Sequence, residues 1–133
     1  MDHESRCAEL YRIGNQADPI PDGLLVVGST ACTLCKNSMR NHDYRTQLTD
    51  GTPLTWINID EESVLNRFYT IPGISYDYEQ ERPLAAGKPM GGTPIYLWVQ
   101  DGRVAIGPLG AGEQPDGALD AMPTRAAELL KNV

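Results

Sequence analysis

An α/β domain, built on a central mixed sheet with a terminal antiparallel hairpin and helices on both faces, is the fold class this sequence predicts. Three observations lead there. Residues 24–59 read as strand, helix, strand, an order that places two strands parallel with a helix across one face. Two apolar runs flank Asp101-Gly102, the turn chemistry of a tight antiparallel hairpin. The chain has 133 residues, enough for one compact domain and too few for two ordinary ones. A single domain over 1–133 is expected, with 1–23 as an N-terminal helix and connection.

Residues 4–16 read as a helix, because Cys7, Leu10, Tyr11 and Gly14 recur at helical spacing. Asp18-Pro19 and Pro21-Asp22-Gly23 break it. Leu24 to Gly28 is a continuous apolar run, as in a strand covered on both faces. Ser29 to Ala31 connect it to a helix expected from Cys32 to about Leu48, with Leu34, Ser38, Met39 and Tyr44 on its apolar face. Leu54 to Ile59 is a second strand. Both of its faces are largely apolar, which favours an interior position. Asp60 is the expected cap of a helix from Glu61 to about Tyr69 that presents Val64, Leu65 and Phe68.

Residues 71–93 hold three prolines and four glycines and read as one extended loop, a length associated with function. Pro94 to Gln100 is a strong strand, and Arg103 to Ile106 returns from the hairpin. Gly107 to Gly112 reads as a bend. Pro123 opens a last helix to about Lys131, with Ala126, Leu129 and Leu130 on its buried face. Trp56 and Trp98 are expected in the core.

Lys and Arg number 11 and Asp and Glu 18, a net charge of -7. Such a surface repels phosphate backbones and anionic lipid, which argues against nucleic acid as a partner. The longest apolar run, Ile95 to Val99, is far short of the ~20 residues of a membrane span. Met1-Asp2-His3-Glu4 has no basic, apolar leader character. A cytoplasmic location is therefore expected, or a periplasmic one if a leader has been removed.

The three cysteines, Cys7, Cys32 and Cys35, are too few for a disulfide framework. Cys32-Thr33-Leu34-Cys35 is a C-x-x-C motif at the first turn of a helix that follows a buried strand. Two cysteines so spaced can close a disulfide with little backbone movement. The unpaired N–H groups and partial positive charge of the helix start favour a thiolate on Cys32. A structural zinc site would need two more ligands. Cys7, His3 and His42 are the candidates, but no second C-x-x-C or H-x-x-x-H accompanies them. Cys7 itself reads as a small buried hydrophobe, His42 as solvated or locally hydrogen-bonded, and Lys36 as an exposed helix residue.

Leu24-Leu25-Val26-Val27 leading into Cys32-Thr33-Leu34-Cys35-Lys36 resembles the thioredoxin superfamily. So does Gly92-Thr93-Pro94-Ile95 ahead of a strand, as does the hairpin from Tyr96 to Ile106 followed by a glycine-rich bend and a helix. The likeness covers residues 24–133. Residues 1–23 would then supply the first helix and a short first strand.

The resemblance implies a thioredoxin-like fold and a protein-disulfide oxidoreductase, with Cys32 as attacking and Cys35 as resolving thiol. It also implies a cis Pro94 that shapes a substrate groove and tilts the choice from zinc to redox chemistry. The Thr93 backbone would pair with an extended substrate, and Ala31, Thr33 and Leu34 would border it. Protein disulfides or dithiols and a redox partner protein are the implied partners, with no cofactor and no metal. A binding module of the same fold, holding a partner peptide with thiols that do no chemistry, is the alternative.

The sequence departs from the family pattern in places. Ala31 stands where the family has tryptophan before the first cysteine. Val26 stands where thioredoxins carry a buried acid, so that Asp60 or solvent would have to serve the resolving thiol. Thr33-Leu34 between the cysteines includes no histidine, which argues against a strong oxidant. The long 71–92 segment, with Tyr76, Asp77, Tyr78, Glu79 and Glu81, is a candidate lid over Cys32.

Overall fold

The computed structural model describes residues 1–109 and 119–131. The elements run α1 (His3–Asn15), β1 (Gly23–Gly28), α2 (Thr33–Asn41), β2 (Leu54–Asn58), α3 (Glu62–Tyr69), β3 (Ile74–Asp77), β4 (Arg82–Ala85), β5 (Lys88–Pro89), β6 (Ile95–Gln100), β7 (Arg103–Leu109) and α4 (Met122–Leu130). A 3-10 turn over Leu119–Ala121 leads into α4. The main sheet has the order β2-β1-β6-β7. β1 and β2 are parallel, with Val26 opposite Trp56, and β6 runs antiparallel to both β1 and β7. The sheet is therefore mixed.

Period two along β1 sends Leu24 and Val26 to one face and Leu25 and Val27 to the other. On the first face they meet Cys7, Leu10 and Tyr11 of α1, Met39 of α2, Trp56, Trp98 and Met122 and Ala126 of α4. On the second they meet Ile57, Leu97, Val64 and Phe68 of α3, and Ala85 of β4. All six residues of β1 are buried, as its apolar run requires. Asp101 and Gly102 both take positive φ, 56° and 75°, in the hairpin turn. Asp22 accepts both of their amides at 2.9 and 3.0 Å.

Several expectations are corrected. β2 is an edge strand, not an interior one. Its apolar faces are buried because α1 lies along it on the side of Leu54 and Trp56 and α3 covers Ile57 on the other. A methyl on Gly14 would collide with the Trp56 carbonyl, and Asn15 Oδ1 accepts the Asn58 amide at 2.9 Å, closing an edge that would otherwise be open. Residues 1–22 hold no strand, only α1, whose N-cap is Asp2, with its carboxylate accepting the Ser5 amide at 2.8 Å.

α2 stops at Asn41 rather than near Leu48. Asp43 and Tyr44 turn left-handed at φ 54° and 53°, and the Tyr44 amide reaches back to the Met39 carbonyl at 2.8 Å. Tyr44 then packs on α1, its hydroxyl 2.6 Å from His3 Nδ1 and its ring beneath Arg6. Leu34 lies on the outer face of α2, 66% exposed, and Leu129 on that of α4.

The expected loop over 71–93 contains the antiparallel sheet β3-β4-β5, which packs through β4 and β5 on β7. Residues 107–109 of the expected bend belong to β7, which continues to Leu109; 110–112 lie outside the described residues.

Asp120 joins the start of α4 to the segment after α2. It accepts the Thr49 amide at 2.8 Å and pairs with Arg45 at 2.9 Å. These bonds, the Thr49 amide foremost, hold its carboxyl below the ordinary 3.8. A lowered folded pKa adds stability above the unfolded value, and that stability is lost as pH falls through the folded one. Thermal midpoints recorded between about pH 5 and pH 2 should fall less steeply in Asp120→Asn than in the unaltered chain. Parallel curves would show that the pair contributes nothing to acid sensitivity.

Candidate functional site

The C-terminal end of β1 and the start of α2 carry the two cysteines. The connection between them is held from the β2 side. Ile59 N donates to Gly28 O at 3.1 Å, Asn58 Nδ2 to Thr30 Oγ1 at 2.6 Å, and Thr30 N to Asp60 Oδ2 at 2.9 Å. Asp60 was expected to cap α3. Instead Glu61 occupies the N-cap with no side-chain bond, and Asp60 braces the loop before Cys32. Its carboxylate satisfies an amide that would otherwise face solvent in a segment with no regular pairing.

Cys32 is the N-cap of α2, in extended conformation, and its sulfur accepts the Cys35 amide at 3.0 Å. This is the position where orphan N–H groups and the helix dipole favour negative charge on sulfur. Cys35 follows one turn later, with its Cα 5.2 Å from that of Cys32 and the two sulfurs at disulfide distance. Cys32 is half-buried and Cys35 is 1% exposed. The two sulfurs thus differ in access, which helical geometry dictates once the first lies at the cap and the second faces the sheet.

Thr93 and Pro94 enter from the start of β6. Thr93 O lies 3.6 Å from Cys32 Sγ, and the Thr93–Pro94 bond is cis. Ala31, Thr33 and Leu34 are exposed beside Cys32, and Gly91 and Gly92 are exposed just before Thr93. All the residues expected at the site therefore lie around or next to Cys32. Val26 is buried at 1% and offers no acid. Asp60 is exposed and engaged with Thr30.

The reading of Cys7 as a small buried residue holds, and that of Lys36 as an exposed one is corrected. Lys36 is only partly exposed and pairs with Glu4 of α1 at 2.9 Å. Cys7 is a buried free thiol, 3.8 Å from His3 Nδ1, and burial pushes its pKa up. Among the described residues, no three His, Cys, Asp or Glu side chains converge to hold a metal ion, and no helix is long and apolar enough to cross a membrane.

Tyr76 and Tyr78 pack edge to face, 4.9 Å apart, in a surface hollow with Tyr69 and Ser75. Tyr69 ends α3. The tyrosines thus gather at the C-terminal end of that helix, whose start follows Asp60 at the Thr30 loop.

From the sequence alone, Tyr11 is only an apolar-face residue of the first helix. In the structure it is 7% exposed, and its hydroxyl stands over Gly28, as does Cys35 Sγ. Helical spacing identifies its face. Where its hydroxyl ends depends on how α1 docks against β1 and α2, which no local pattern encodes. Comparisons of the chain with protein-family models, with curated proteins and with solved structures found no match.

Proposed function

We propose that this chain is a thioredoxin-like thiol-disulfide oxidoreductase that exchanges disulfides with protein substrates through Cys32 and Cys35. The observation that carries the reading is the pairing of a half-buried sulfur at a helix N-cap with a buried sulfur one turn later, at disulfide distance. In the dithiol form, the Cys32 thiolate is favoured by the Cys35 amide and the helix start. It attacks one sulfur of a substrate disulfide. The substrate S–S bond breaks, its second sulfur leaves as a thiolate and takes a proton from water, and a mixed disulfide forms on Cys32.

Cys35, having lost its proton to solvent, then attacks Cys32 Sγ. The remaining substrate sulfur departs with the electron pair. The substrate gains two electrons and the protein becomes the Cys32–Cys35 disulfide, which a redox partner protein or a small dithiol reduces again.

Ala31, Thr33 and Leu34 offer an exposed, uncharged surface to the substrate, and the backbone of Thr93 offers strand-like pairing. The -7 net charge favours neutral or basic partners.

Insulin reduction with dithiothreitol as electron source tests the reading. The unaltered chain should accelerate it, and Cys32→Ser should fall to the uncatalysed rate. Equal rates for the two proteins would refute the proposal.

A further inference from the structure

Cys35 must give up its proton while 1% exposed. Burial disfavours a thiolate, so a buried resolving thiol needs a polar neighbour. The space above Gly28 supplies one. A methyl on Gly28 would strike the Tyr11 hydroxyl and stand 3.2 Å from Cys35 Sγ. Glycine here is what lets the phenol and the sulfur share that space. The hydroxyl's bond within the structure is a long one, 3.5 Å to the Ser29 carbonyl. It is weakly held, and closing the Cys32–Cys35 disulfide leaves Cys35 Sγ without negative charge to attract it.

We propose that in the dithiol and mixed-disulfide states the Tyr11 hydroxyl donates a hydrogen bond to the Cys35 thiolate, and so governs how fast Cys35 releases the substrate. The inference rests on the oxidoreductase reading above. Tyr11 is a positioning residue that acts through Cys35, and it is a donor rather than a base. Burial pushes its pKa up to about 12, well above that of a thiol, so it keeps its proton while Cys35 loses one to water. The other ionisable groups around it are Cys7 on its own helix, Asp60 beyond β2, and Cys32 on α2. Glu4, Lys36 and Arg40 act on Cys7 from outside.

The test is a pH titration of Cys35 in Cys32→Ser protein. It is read from the Cβ carbon shift of labelled cysteine, which separates Cys35 from Cys7. Tyr11→Phe keeps the ring and removes only the hydroxyl. It should raise the Cys35 pKa by about one unit and slow escape from the mixed disulfide about threefold below that pKa, the roughly tenfold loss of thiolate being partly offset by the greater nucleophilicity of the more basic sulfur. Tyr96→Phe, another buried phenol, should move neither quantity. In the reduced unaltered protein, the Tyr11 ring carbons should shift in step with Cys35 ionisation, a readout that does not depend on a variant folding.

An unchanged Cys35 pKa in Tyr11→Phe, or Tyr11 carbons that ignore Cys35, would overturn the inference. An active oxidoreductase with that result loses only the Tyr11 role. A chain that reduces no disulfide but shows the shifted thiol loses only the oxidoreductase reading.

Discussion

If the chain is the oxidoreductase proposed above, Cys35→Ser is expected to turn a catalyst into a trap. Cys32 keeps its place at the N-cap of α2, half-buried beside Thr93 O, so its attack on a substrate disulfide proceeds. The mixed disulfide then has no neighbouring thiolate to resolve it, because Cys7, the remaining thiol, is buried with a raised pKa. Release must wait for a thiol from solution. Intramolecular attack has an effective concentration of many orders of magnitude over a dilute external thiol. Turnover in the insulin assay should drop at least about a hundredfold, while a covalent protein–substrate adduct accumulates on non-reducing gels.

Cys32→Ser should form no adduct at all, since Cys35 is 1% exposed. The contrast between the two variants reports the division of labour between the sulfurs. Adducts of equal yield from both variants would contradict it.

Gly14→Ala should destabilise the protein, against helix propensity. In an exposed helix, replacing glycine with alanine adds about 1 kcal/mol of stability. Here the new methyl would overlap the Trp56 carbonyl, which is backbone and cannot rotate aside. α1 would have to lift from β2. That movement strains the Asn15–Asn58 bond and the contact of Arg67 with the Asn15 and Ala17 carbonyls. Overpacking of this kind costs about 1–3 kcal/mol before such losses. A net fall of about 2 kcal/mol and a thermal midpoint lowered by roughly 5 °C are expected. A rise in the midpoint would contradict the close packing of α1 on β2 at Gly14. Because Tyr11 lies on the same helix, this variant should also disturb the space above Gly28.

Some of the site was legible because its signals are local. A buried strand ending at Gly28, a C-x-x-C where a helix starts, and Thr93-Pro94 opening a strand are all short-range patterns. Each depends on a few residues whose backbone preferences agree with the fold. The Asp101-Gly102 turn belongs with them, since those residue types tolerate the positive φ that both adopt.

The small sheet within 71–93 gave no comparable signal. β4 contains Pro83, β5 has two residues, and the β4–β5 turn is Ala86-Gly87. Both turn residues take positive φ, but alanine is not a residue that announces such a turn. The end of α2 is hidden for a related reason. Asp43 and Tyr44 go left-handed with no glycine there, because Tyr44 is held on α1 by His3 and Arg6.

By itself, the sequence determined the α/β class, the parallel pair with its hairpin, and two cysteines one turn apart at a helix start. These follow from backbone geometry and apolar periodicity, which act over a few residues. The docking of α1 was decided only in the tertiary structure. That docking hides the edge of β2, sets Lys36 against Glu4, and carries the Tyr11 hydroxyl to the space beside Cys35. Its cause is the close approach at Gly14 and Gly28, where a missing side chain lets two elements touch. A glycine in a sequence does not say which element will come to fill the space it leaves.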